Sequence, residues 1–137
     1  MKTGSWFSPV PPDHIKVGIS RGVPRNLGPG FLMYRKLAPG PWFNDVDVDE
    51  YCERYAAEIL APLDPAVVVA DLMKMAAGRV PILCCFEKAD RGQWCHRSLA
   101  AAWIGAYLGE VVPEVNFEHL PQDRHPLRPP APTPRFL

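Results

Sequence analysis

From residue 14 to 20 the chain alternates, with Ile15, Val17 and Ile19 on one face and Lys16, Gly18 and Ser20 on the other, the period-two pattern of a strand. Residues 21–42 break the pattern with repeated Gly and Pro, which interrupt any long helix or strand, so a long loop of turns is expected there. Asp47 followed by Glu50 has the form of a capping box, and Val48, Tyr51, Cys52, Tyr55, Ile59 and Leu60 follow at helical spacing. Together they predict a helix over 47–61. Asp64-Pro65 supplies an N-cap and a proline suited to the first helical position. A second helix then runs through Val68, Leu72, Met75 and Ala76 to a left-handed stop at Gly78.

Residues 80–86, VPILCCF, are continuously apolar over a strand's length, as expected for a central strand covered on both faces. From Ser98 to Leu108, Leu99, Ala102, Trp103, Ala106 and Tyr107 form one helical stripe that Gly109 ends. Val115, Phe117 and His119 then alternate with Glu114, Asn116 and Glu118. This predicts a last strand with His119 in phase with its buried face.

The order strand, helix, helix, strand, helix, strand predicts an α/β fold: a single small domain with a mostly parallel sheet of three or more strands, flanked by helices in a Rossmann-like three-layer arrangement. The pattern divides the chain into an N-terminal extension (1–13), an α/β domain (14–120) and a Pro-rich C-terminal tail (121–137). That tail holds six of the seventeen prolines and no periodic apolar face, so it is expected to lie extended over the surface or to be disordered.

Composition narrows the function classes. Fifteen basic residues balance fifteen acidic ones in 137 residues, so no global field draws the molecule to nucleic acid or anionic lipid, and an anion site must be local. No apolar run approaches the ~20 residues of a membrane span, and the first twelve residues lack a signal-peptide core. A cytoplasmic protein with no membrane partner is expected, and its four irregularly spaced cysteines are expected to be reduced thiols. Charge is nevertheless segregated: Lys16, Arg21, Arg25, Arg35 and Lys36 have no acidic neighbour between 16 and 36, whereas seven acidic residues face only Arg54 between 45 and 64. The basic stretch suits either a phosphate cradle or pairing with the acidic helix.

In open α/β sheets, ligands bind beyond the carboxyl ends of the strands. That rule brings together Ser20-Arg21 after the first strand, Glu87-Lys88 after the central strand, and Cys95-His96-Arg97 at the start of the following helix. A thiol at a helix N-terminus is stabilised as thiolate by orphan amides and the helix dipole. Cys95 is therefore a candidate nucleophile with His96 as its proton partner, and Glu87 is a candidate acid, base or nucleophile. Ser20, Arg21, Arg25 and Arg97 are candidate anion-binding residues, and Trp94 a candidate lid or stacking platform. The competing reading makes Cys95 a buried filler and Arg97 an ion-pair partner of Glu87. Cys84 and Cys85 are adjacent on a strand and so point to opposite faces. A metal site built from one of them with Cys95 and His96 lacks the paired C-x₂₋₄-C spacing of structural zinc. No metal or other cofactor is assigned from the sequence.

The run VPILCCFEKADRGQWCHRSLAAAWIG, followed by VNFEHL, resembles the domain-of-unknown-function 488 family. The resemblance rests on Cys85-Phe86-Glu87, Cys95-His96-Arg97 and His119-Leu120, and covers about residues 14–120. Upstream, ISRGVPRNLGPGF is similar to the family's first-strand segment, with Ser20 where the family usually has Asp. The resemblance implies the fold and the site, with Arg21, Glu87, Cys95, His96 and Arg97 as a set, and supplies no reaction. The leading expectation is an enzyme-like site for a phosphate-bearing ligand, a nucleotide or nucleic acid component, using thiol or carboxylate catalysis. The alternatives are a non-enzymatic module that binds nucleic acid or protein through the basic loop 16–36 and the tail, and a Cys/His metal protein.

Overall fold

The computed structural model describes residues 1–131. Four strands form one parallel sheet: β1 (Lys2–Ser5), β2 (His14–Gly18), β3 (Phe31–Met33) and β4 (Val80–Cys85), in the order β1-β4-β2-β3. Helices α1 (Val48–Arg54), α2 (Pro65–Ala76) and α3 (Arg97–Leu108) complete a single small α/β domain. The uninterrupted apolar run of β4 takes an inner place between β1 and β2, where both of its faces are buried.

The helix boundaries follow local chemistry. The Asp47 side chain accepts the Glu50 backbone N–H at 2.8 Å, and the Asp64 side chain accepts that of Ala66 at 2.9 Å with Pro65 in the first turn, satisfying orphan amides at both helix starts. Helix α1 passes into a π-helical segment, Tyr55–Leu60, so the expected single helix over 47–61 is made of two windings. The left-handed stop of α2 falls on Ala77, one residue before the expected glycine.

The main core joins Val17, Ile19, Leu83 and Cys85 from the sheet to Tyr51, Tyr55, Val68, Leu72, Ala100, Ala101 and Ile104 from the helices. On the other face of the sheet, Trp6, Ile82, Cys84 and Val115 form a second cluster flanked by Val10, Leu27, Phe31 and Met33. Loop and strand residues make this layer, where the three-layer expectation places a helix. Cys84 and Cys85 thus divide between the two cores, as their adjacency on a strand requires.

Four expectations need correction. Residues 1–13 are no mere extension, because Lys2–Ser5 is a strand of the sheet in register with Ile82–Cys85; four residues are too few to show alternation. The long loop 21–42 contains β3 and sends Tyr34, Leu37 and Trp42 into the main core. The last strand does not form: residues 113–115 run beside β1 with one bridge, Thr3 to Glu114, and the chain then turns at Asn116 with φ 73°. His119, expected in the core, is exposed in that turn. The α3 stripe is also displaced, since Arg97, Ser98, Ala100, Ala101, Ile104 and Gly105 are buried while Ala102, Ala106 and Tyr107 are exposed. Small residues let this helix approach its neighbours closely, a criterion that a count of hydrophobic positions misses.

The expected tail is anchored as far as Leu127. His125 and Leu127 are buried, and the Leu127 carbonyl accepts the Cys95 N–H at 2.9 Å. Residues 132–137 of that tail lie outside the described residues. Among the described residues, no helix is long and apolar enough to cross a membrane.

Candidate functional site

Because β2 and β4 are parallel neighbours, with Gly18 opposite Cys84, their carboxyl ends deliver Ser20-Arg21 and Phe86-Glu87 to the same edge of the sheet. Helix α3 brings His96 to this edge, α1 brings Tyr51, and the segment after β3 brings Pro39, Phe43 and Asn44. Together with Cys85 these residues line a cleft of about 170 Å³. A larger cleft of about 380 Å³, on the β1 side of β4, is lined by Ser5, Phe7, Lys88, Asp90, Asn116 and Phe117 among others. It contains no cysteine or histidine, so the smaller cleft is the better candidate for chemistry.

His96 occupies the N-cap position of α3 and reaches across to β2, where Nε2 lies 2.8 Å from the Ile19 carbonyl oxygen. A carbonyl only accepts, so Nε2 carries the proton and donates, and the neutral ring presents an unprotonated Nδ1. Cys95 Sγ lies 3.7 Å from Nδ1, and Cys85 Sγ lies 3.8 Å from Nδ1 and 3.6 Å from Nε2. The near-equal Cys85 distances put its sulfur off both nitrogen lone-pair axes. Tyr51 and Tyr55 pack around the imidazole, with ring centroids at 6.3 and 5.4 Å.

Burial governs the ionisation of this cluster. It pushes the Cys95 thiol well above its ordinary value, Cys85 adds to the rise, and His96 only partly opposes it. Cys95 is therefore a thiol at neutral pH. For His96, burial works against the charged ring, while Cys95 and the Ile19 carbonyl work for it, with the balance above the ordinary value. The Cys95 part of that pull exists only when Cys95 is a thiolate. The expected low-pKa nucleophile is thus reversed: at 2% exposure the loss of hydration outweighs the helix N-terminus.

Arg97, expected to bind the anion, does not line the cleft. It is fully buried, and its guanidinium donates from Nε to Glu114 Oε1 at 2.9 Å and from Nη2 to Oε2 at 2.7 Å. Its ion-pair partner is Glu114 rather than Glu87. Next to Arg97 in the chain, His96 faces the cleft while Arg97 turns inward toward Glu114, because successive helical residues diverge.

The remaining candidates separate. Ser20, Arg21, Glu87 and His96 meet in the cleft, whereas Arg25 and Trp94 are absent from its lining. Ser20 is held structurally, accepting from Trp6 Nε1 at 3.0 Å and donating to the Gly22 carbonyl at 2.6 Å. Arg21 donates to the Pro39 carbonyl at 3.0 Å and sits over the Phe43 ring at 5.8 Å, yet remains exposed. Trp94 packs edge-on against Tyr51 at 4.7 Å. Of the basic loop, Lys16 engages the Trp6 carbonyl, Arg35 the Arg21 carbonyl and Lys36 the Asp71 carboxylate. Arg54 pairs with Glu50 and Glu58 within the acidic stretch itself. Sequence reasoning missed Tyr51, Asn44 and Cys85 as cleft residues. Tyr51 was legible only as an apolar helix position, and nothing local marked Asn44.

Comparison with family models, with curated proteins and with solved structures returns no match for this chain.

Proposed function

We propose that the protein is a small cytoplasmic enzyme whose cleft binds the phosphate-bearing end of a nucleotide or nucleic acid component. The observation that carries this reading is the meeting of Arg21, Asn44, Tyr51, Glu87 and His96 around one cleft at the carboxyl ends of β2 and β4, the usual ligand position in such sheets. At about 170 Å³ the cleft is close to a cavity that holds benzene and well below the range for drug-sized ligands. A nucleotide would enter it by one end. Arg21 anchors the anion, Asn44 orients it and the half-buried Glu87 serves as acid or base. Cys95 supports the floor and does not attack. Kinship with the domain-of-unknown-function 488 family belongs to the same proposal: its Cys-x-Glu and Cys-His-Arg elements are the segments that converge here. The four free cysteines agree with a reducing compartment.

The binding-module reading is weaker, because Lys16, Arg35 and Lys36 of the basic loop already engage partners. Backbone NMR with inorganic phosphate and with nucleoside monophosphates separates the two. The cleft reading expects shifts at Ser20, Arg21, Asn44 and Glu87, loss of binding in Arg21→Gln, and retained binding with lost turnover in Glu87→Gln. Shifts confined to Arg25, Arg35 and Lys36 would overturn it in favour of the module.

A further inference from the structure

We propose that Cys85, Cys95 and His96 form a binding site for zinc or a similar borderline-soft divalent metal. Their ligand atoms all lie within 4.8 Å of one another, and each sulfur is within 3.8 Å of His96 Nδ1. Tetrahedral zinc, with bonds of about 2.3 Å to sulfur and 2.0–2.1 Å to nitrogen, needs ligand-to-ligand edges of roughly 3.5–3.8 Å. The three side chains already face one another, and turning the Cys85 thiol from its place between the two ring nitrogens toward Nδ1 seats the ion among them.

Three further features fit a metal better than a bare thiol cluster. His96 Nε2 donates to the Ile19 carbonyl at 2.8 Å, the outer-shell bond that orients a metal-ligating histidine and leaves Nδ1 free to bind. The Arg97 backbone N–H points at Cys95 Sγ, 3.5 Å away, and so stabilises negative charge on that sulfur. Two thiolates and a divalent cation also sum to zero, so the complex places no net charge in a buried site where a lone thiolate would be strongly disfavoured. Binding displaces the two thiol protons to solvent. Two sulfurs and an imidazole select zinc over magnesium or calcium, which prefer oxygen ligands.

Sequence spacing hides this set, since Cys85 is on a strand and Cys95-His96 begins a helix ten residues later. Cys85 and His96 also line the cleft, which leaves the fourth position to water or a cleft ligand, as in catalytic rather than closed structural zinc sites. That last step rests on the cleft reading; the metal site itself does not.

The test is a titration of the full-length, reduced, chelator-treated protein with Co²⁺ under anaerobic conditions, followed by displacement with Zn²⁺. The expected result is one equivalent bound per chain, with thiolate-to-cobalt charge transfer and the visible bands of tetrahedral cobalt. Cys85→Ser and Cys95→Ser should each weaken binding by more than about a hundredfold, since outer-shell changes alone cost 10–100-fold. Cys52→Ser, at a half-buried position on α1, should bind as the parent does. Should the core variants fail to fold, ¹⁵N imidazole NMR of the parent decides: zinc should shift Nδ1 of His96 while Nε2 keeps its proton. Absence of stoichiometric binding, binding that survives loss of both Cys85 and Cys95, or an unshifted His96 Nδ1 would overturn the proposal. Zinc binding with no phosphate or nucleotide binding would uphold the metal site and defeat only the cleft reading.

Discussion

The Arg97 guanidinium grips the Glu114 carboxylate through two hydrogen bonds, at 2.9 and 2.7 Å, with both side chains out of contact with solvent. Glu114 Oε1 also accepts from Thr3 Oγ1 at 2.8 Å, and Thr3 Oγ1 lies 2.7 Å from His125 Nε2. His125 Nδ1 accepts the Leu127 N–H at 3.1 Å, which places the ring proton on Nε2 as a donor to Thr3. The start of α3, the edge strand β1, the segment after α3 and the tail are thus tied by one buried polar network.

Cutting this network at one end strands a charge. Arg97→Met or Glu114→Leu alone should destabilise the protein by about 3–5 kcal/mol, and the double variant should recover most of that loss. Urea denaturation of the four proteins measures it; additive losses would show that the two residues are energetically independent.

The same network should make stability pH-dependent through His125. Burial lowers its pKa from 6.5 to about 4, with the Glu114 carboxylate opposing and Arg97 and Arg128 reinforcing the effect. Between those values the unfolded chain binds the proton and the folded chain does not, so stability rises with pH across that window and is flat above it. The full effect is up to about 3 kcal/mol, lost progressively as pH falls from 6.5 toward 4. Urea midpoints between pH 7 and 4.5 should decline in the parent and markedly less in His125→Gln.

Gly18 is required by close approach rather than by a turn. A Cβ there would lie 2.3 Å from the Trp6 ring and 2.4 Å from Met33 Sδ. Gly18→Ala should therefore cost about 1–3 kcal/mol through overpacking, together with a shift in Trp6 fluorescence as the indole is displaced. A variant as stable as the parent, with unchanged emission, would show that this face of the sheet yields freely.

Cysteine reactivity should follow burial rather than position on the helix. Cys84, Cys85 and Cys95 are each at most 2% exposed, while Cys52 is half-buried. Burial also pushes the Cys84 thiol up to about 12 and that of Cys95 well above its ordinary value. In the metal-free native protein N-ethylmaleimide should modify Cys52 first, and the other three only after denaturation, as read by peptide mass spectrometry. Rapid labelling of Cys95 at neutral pH would restore it as a nucleophile.

Local chemistry in the sequence was enough to place the inner strand, the helices and the edge of the sheet where the candidate cleft lies. The continuous apolar run of β4, the Asp47 and Asp64 caps and the Gly109 stop are each set by residues within a few positions of one another. The rule that ligands sit beyond strand carboxyl ends brings Ser20, Arg21, Glu87 and His96 together from the sequence alone. What depended on distant partners stayed hidden. Strands β1 and β3 are four and three residues long and owe their form to pairing with β4 and β2. Arg97 reads as an anion binder until Glu114, seventeen residues away, is seen to occupy it. Cys95 reads as an activated thiol until the surrounding core removes its water. Periodicity and capping are short-range and are written along the chain, whereas burial and the choice of ion-pair partner are set by residues that only the folded chain brings together.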